Sequence, residues 1–225
     1  MEPPAVIPSL LVFGPQTELP SQDSLAEMRQ ELISNPQLSN LYDAVKYLPR
    51  FWQTLTSFDP SLSQVPGAKY LGNFQQWVAD GGAFPHHQGD LPNVYIFPIM
   101  IILHITQYVR YLNQLGEKNA HRLVLEGVKS GGIQGFCVGF LSAIAVSCSE
   151  SEGDIAALAA VSLRLAVCIG AYVDQDGRYA EKPNETACVA IRWRKEDFNE
   201  KEVVDLIRNY SSVSLRNAPR EIQKK

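Results

Sequence analysis

A helix-rich α/β layer fold is predicted for this chain on three observations. Most segments carry apolar residues at helical spacing, short apolar runs stop where glycine or proline turns the chain, and the end of the chain alternates like strand. The first run, SLLVFGPQT (9–17), reads as a buried strand that stops at Gly14-Pro15. Ser21 is a cap-like residue ahead of DSLAEMRQELIS, where Leu25, Met28 and Leu32 keep helical spacing, and Pro36 restarts a second helix through LSNLYDAVKYLPRFWQTL. AKYLGNFQQWVAD is a third helix, stopped by Gly81-Gly82. After the loop FPHHQGDLPN, a buried helix over 94–115 ends at Gly116. Residues 122–136 read as strand and turn. VGFLSAIAVSC follows, and Asp154 opens the strongly apolar helix DIAALAAVSLRLAVCIGAYV. The character changes near Asp174: TACVAIRWR (186–194) alternates like a strand, KEDFNEKEVVDLIRNY is an amphipathic helix, and SSVSL (211–215) is a second short strand.

With 225 residues, the chain is long enough for one large domain, or for one domain and part of another. It is 45% hydrophobic and 20% charged, with 20 basic against 24 acidic residues and a net charge of −4. That balance offers no basic field for a phosphate backbone, so nucleic acid is not an expected partner. Cys137, Cys148, Cys168 and Cys188 form no C-x-x-C pair and have no nearby histidine cluster, so no metal site is expected. Three of them lie in apolar segments and read as buried free thiols. The start, MEPPAVIPSLLVFG, has an acidic residue and three prolines where a signal peptide needs a basic start and an unbroken apolar stretch. The 19 uncharged residues Leu91 to Val109 include two prolines, Asn93, His104 and Gln107, and read as a buried core helix rather than a membrane span. A cytoplasmic protein is the expectation.

GGIQGFCVGF (131–140) sets a cysteine in the pattern G-x-C-x-G. Glycines two residues to either side let a strand reverse sharply into a helix and leave the central side chain at the tip. This is the logic of the G-x-S-x-G elbow with sulfur for oxygen. A thiol attacks as thiolate, and a helix N-terminus favours negative charge through its unpaired amides and dipole. Gly135, Cys137 and Gly139 satisfy the pattern. Taken alone it leaves two readings open, a nucleophile on a tight turn or a packed cysteine among glycines.

Four motifs taken in order narrow this. LVFGPQT, FPIMIILHITQYVRYL, GFCVGFLSAIAVS and LRLAVCIGAYVD together resemble the starter-unit acyl-carrier-protein transacylase domain of fungal non-reducing polyketide synthases. That domain is a cysteine variant of the malonyl-CoA:acyl-carrier-protein transacylase fold, and the similarity runs over about residues 9 to 215. The resemblance implies an acyltransferase large subdomain over 1–180, with a short parallel sheet and surrounding helices, and the first β-α-β of a ferredoxin-like small subdomain over 181–225. It also implies roles. Cys137 would be the nucleophile, and Gln16 and Val138 would supply backbone amides to an oxyanion hole. Ile169 would stand where malonyl-specific relatives carry an arginine for the substrate's free carboxylate. A carboxylate buried there would lack its counter-charge, so a monocarboxylic cargo, acetyl or a longer fatty chain, is expected. Arg164 reads as structural.

The family also uses a histidine base from a later segment, and none of this chain's histidines matches it. His104 on the apolar helix reads as a hydrogen-bonded core residue, His86 and His87 lie on a loop, and His121 in polar sequence reads as solvated. The expectation is that the family's C-terminal part is missing here. Three functions follow: acyl transfer from acyl-CoA through Cys137 to the phosphopantetheine thiol of an acyl carrier protein, a catalytically weak remnant that binds carrier protein or synthase domains, and a thioesterase-like hydrolase, the least supported for want of an acid–histidine pair after the elbow.

Overall fold

The computed structural model describes residues 6–15, 20–85 and 91–179, and among these the chain is mostly helix with one short sheet. Strand β1 (Leu11–Phe13) is followed by helices α1 (Gln22–Ser34), α2 (Ser39–Lys46), α3 (Leu48–Phe58), α4 (Gly67–Asp80), α5 (Asn93–Leu115) and α6 (Ala120–Gly127), then by strand β2 (Ile133–Gly135) and helices α7 (Gly139–Ser147) and α8 (Glu152–Tyr179). The two strands pair in parallel, Leu11 with Ile133, Val12 with Gln134 and Phe13 with Gly135. This agrees with the α/β class. The β-α-β expected over 181–225 lies outside the described residues.

Ser21 opens α1 as its sequence suggested: its hydroxyl accepts the Ser24 amide at 3.2 Å, and Leu25, Met28 and Leu32 are the buried face. The single helix expected after Pro36 is instead a 3-10 turn (Pro36–Leu38) followed by α2 and α3, parted at Tyr47. The cause is Pro49, which has no amide to donate and whose ring would meet the Val45 carbonyl in a continuous helix. Within the first turn of α3 it is tolerated. At the end of α4 the side chain of Arg29 reaches across from α1, its Nε donating to the carbonyls of Trp77 and Val78 at 3.0 Å. A cation there satisfies carbonyls that the helix itself cannot.

α5 runs through the middle of the core, with Ile99, Ile101, Ile102 and Ile105 fully buried. It packs against α1, α4, α6 and α7. Its first turn is capped from a distance: the Asp174 carboxylate of α8 accepts the amides of Asn93 and Val94, each at 2.8 Å. Among the described residues, two helices are long and apolar enough to cross a membrane, Asn93–Leu115 and Glu152–Gln175, but 78% of the apolar stretch of the first is buried inside the protein.

Residues 122–136 are not wholly strand and turn. α6 takes the first part, and only Ile133–Gly135 is strand. Nor is His121 solvated, for it is 1% exposed. Helical geometry turns it inward although its sequence neighbours are polar. Its Nε2 donates to the Ser149 carbonyl at 3.0 Å, and its Nδ1 pairs with the Tyr108 hydroxyl at 2.8 Å.

Candidate functional site: a cysteine elbow between two strands and a helix

β2 ends at Gly135, α7 begins at Gly139, and Phe136, Cys137 and Val138 make the turn between them. Cys137 has φ of 52°, in the left-handed region, and its side chain is exposed. A non-glycine residue in such a conformation costs about 1–3 kcal/mol and persists only where its surroundings leave no alternative. Those surroundings are main-chain contacts. The Phe136 amide donates to the Phe13 carbonyl of β1 at 3.0 Å. Three tight turns then start the helix, Gly139 N to Phe136 O at 2.9 Å, Phe140 N to Cys137 O at 3.0 Å and Leu141 N to Val138 O at 3.1 Å. They leave the Val138 amide, at the helix cap, without a backbone acceptor among the described residues.

The two flanking glycines are there because nothing larger fits. A Cβ on Gly135 would stand 2.5 Å from the Gly139 carbonyl oxygen and press on the Phe140 backbone. One on Gly139 would stand 2.5 Å from the Gly14 carbonyl oxygen and press on that of Phe13. The end of β1, the end of β2 and the start of α7 are therefore in backbone contact, and the thiol stands at their junction.

The residues singled out from the sequence divide into three groups. Gly135, Cys137, Val138 and Gly139 come together at this junction. Gln16 directly follows Gly14-Pro15 and lies outside the described residues, as do His86 and His87. Ile169 is on α8, on an exposed stripe with Val161 and Leu165, and Arg164 is exposed beside it. α8 meets α7 through the Ser162 hydroxyl, which donates to the Leu141 carbonyl at 3.0 Å. The expectation of buried thiols fails for Cys148, which is exposed, and for Cys168, which is half-buried. Phe140, Ile144 and Ser147 of α7, with Cys148 at its C-cap, form an outward stripe that helical spacing turns away from the core. Cys188 lies outside the described residues. Burial pushes the Cys168 thiol pKa up, opposite to what a nucleophile needs.

Beneath the elbow lies His104 of α5. It is buried, its Nδ1 hydrogen-bonds the Ser142 hydroxyl of α7 at 3.0 Å, and its ring meets Phe13 of β1 edge-on with centroids 5.6 Å apart. This agrees with the reading of a hydrogen-bonded core histidine. Burial lowers its pKa to about 4, so the ring is neutral at physiological pH. The pairing with Ser142 was not legible in the sequence: the partners are 38 residues apart, and the run around Ser142 carries no polar pattern to mark it.

This arrangement can present a thiol to a carbonyl carbon from the tip of a turn, with a free amide from the following residue close by. That is the geometry of acyl transfer to a nucleophile. A sequence model of the family described as "Starter unit:ACP transacylase in aflatoxin biosynthesis" matches residues 11–213. The non-reducing polyketide synthase spyA of Aspergillus fumigatus is 36% identical over 215 residues, 94% of this chain and 12% of that protein. The non-reducing polyketide synthase dpfgA of Gibberella zeae is 38% identical over 216 residues, 91% of this chain and 10% of that protein. The 5-methylorsellinic acid synthase of Aspergillus terreus is 36% identical over 208 residues, 92% of this chain and 8% of that protein. The chain thus corresponds to a small part of the length of these large synthases, and the match takes in both strands and the whole elbow. The chain belongs to the starter unit:ACP transacylase (SAT) family of fungal non-reducing polyketide synthases.

Proposed function

We propose that the chain is a starter-unit acyltransferase acting in the cytoplasm, with Cys137 as the carrier of the acyl group. The Cys137 thiolate attacks the carbonyl carbon of an acyl-CoA thioester, and the carbon–sulfur bond to coenzyme A breaks as the tetrahedral intermediate collapses. Coenzyme A leaves as its thiolate. The phosphopantetheine thiol of an acyl carrier protein, having given up its proton, then attacks the Cys137 thioester, carries the acyl group away and regenerates the thiolate. Each half-reaction exchanges one thioester for another, so free energy changes little and the protein's contribution is to orient the groups and exclude water. The Val138 amide, with that of Gln16, would stabilise the oxyanion in both directions. The cargo is a monocarboxylic acyl group, consistent with isoleucine rather than a cation at position 169.

The observation that carries this reading is the left-handed, exposed Cys137 wedged between two glycines that admit no side chain. Intact mass after exposure to acetyl-CoA and to a longer acyl-CoA tests it. A hydroxylamine-labile adduct of one acyl group, absent from Cys137→Ala, is expected, and absence of any adduct on the unaltered chain would sink the reading. A second reading, a module that binds carrier protein or synthase domains without chemistry, draws on His104 and His121: both are buried and hydrogen-bonded within the core. It predicts carrier-protein binding with no adduct.

A further inference from the structure

We propose that His104 is a positioning residue for acyl transfer: through Ser142 and Phe13 it sets the register of α7 against β1, and so the place of the Val138 amide beside the thiol. This rests on the acyltransferase reading above.

The inward face of α7 consists of Gly139, Ser142, Ala143, Ala145 and Val146. Small side chains allow the helix to approach β1 and α5 closely, but they interlock little and offer weak resistance to a slide along the helix axis. A hydrogen bond is directional where such packing is not. Ser142 is fully buried and sits one turn after Gly139, on the same face, so its bond to His104 restrains the turn of helix nearest the elbow. The same imidazole packs edge-on against Phe13, whose carbonyl receives the Phe136 amide and abuts Gly139. One side chain therefore touches both sides of the junction. The ring sits near the centre of an apolar helix, where an aliphatic residue would pack without desolvating a polar ring. The cost of a buried imidazole is understandable if its direction matters.

His121 supplies an internal contrast. It too is buried and hydrogen-bonded, but its partners are the Ser149 carbonyl, beyond the far end of α7, and the Tyr108 hydroxyl of α5, and neither lies on α7. Loss of His121 should weaken the fold without disturbing the elbow selectively.

The test compares His104→Leu, Ser142→Ala, His104→Asn and His121→Leu in the full chain, with acylation by acetyl-CoA followed by intact mass. His104→Leu and Ser142→Ala are expected to slow acylation at saturating acetyl-CoA by about 30- to 100-fold, with half-saturation changed by less than about 3-fold. His104→Asn, which keeps a polar atom near the Nδ1 position, is expected to recover most of the rate. His121→Leu is expected to lose thermal stability with a rate within about 3-fold of the unaltered chain. Ser142→Ala serves should His104→Leu fail to fold. Equal rates for the His104, Ser142 and His121 variants at matched folded fraction would overturn the proposal. If the unaltered chain takes up no acyl group, the acyltransferase reading fails, and hydrogen exchange then decides this one separately. Faster exchange of amides 136–141 in Ser142→Ala than in His121→Leu supports it, and indistinguishable exchange refutes it.

Discussion

Helices α5 and α8 are the two most apolar long segments of the chain, and the structure treats them differently. α8 is the more hydropathic of the two, yet 56% of its apolar stretch is buried against 78% for α5. α5 has neighbours on several sides, whereas α8 turns Val161, Leu165, Ile169, Tyr172 and Val173 outward at spacings of one helical turn. Burial is set by what the fold supplies as neighbours, and hydropathy states only what a segment would gain if neighbours came. A contiguous apolar stripe is also uncommon on a free surface, whereas isolated exposed apolar residues are ordinary.

The contrast can be broken by substitution. Ile102→Ala, in the fully buried centre of α5, is expected to cost about 2–5 kcal/mol in chemical denaturation, since the surroundings close only partly over the space left. Lowering the pH comes next, because the core of α5 also holds His104. Its imidazole titrates near 6.5 in the unfolded chain and near 4 in the fold, so the unfolded state takes up a proton that the native state refuses. The stability present above pH 6.5 should fall by up to about 3 kcal/mol as pH drops from 6.5 to 4, and His104→Asn should flatten that slope. Asp174→Ala, which removes the cap that α8 gives to α5, is expected to cost about 1–2 kcal/mol, measured the same way. Leu165→Ser, on the outward stripe of α8, should change stability by less than about 0.5 kcal/mol. A cost for Leu165→Ser as large as that for Ile102→Ala would erase the contrast, since it would mean that the stripe is covered in solution.

Much of the helical framework was legible because its punctuation is local. Ser21, Gly81 and Gly116 mark helix ends, and Leu25, Met28 and Leu32 mark a buried face, all within one or two turns of each other. Sequence pattern and structure part where local and distant information conflict. Pro49 split a periodic run because its ring acts on the preceding turn, which spacing of apolar residues does not reveal. LVLEGV (123–128), a short run of leucines and valines, reads equally as strand or helix, and α6 takes most of it. His121 lay among Asn119 and Arg122, and only the rotation of a helix decides which of such neighbours faces inward.

The candidate site divides in the same way. G-x-C-x-G is a contiguous statement about backbone space, and the structure gives its central residue the left-handed conformation that a strand-to-helix elbow requires. Nothing in the neighbourhood of Ser142 or Asp174, by contrast, announces a partner 38 or 81 residues away. α7 hid its orientation too: a helix apolar on all sides offers no pattern to separate Ala143, which is buried, from Ile144, which is exposed.

The contacts that hold the thiol in place, from Phe136 to Phe13 and from Gly139 to Gly14, involve main-chain atoms common to every amino acid. Under the acyl transfer proposed above, residues lining the approach to the sulfur can then be exchanged, altering which cargo is welcomed, while the sulfur keeps its station. Diversification of starter units need not renegotiate the chemistry each time, because recognition and reactivity are written in different parts of the polypeptide.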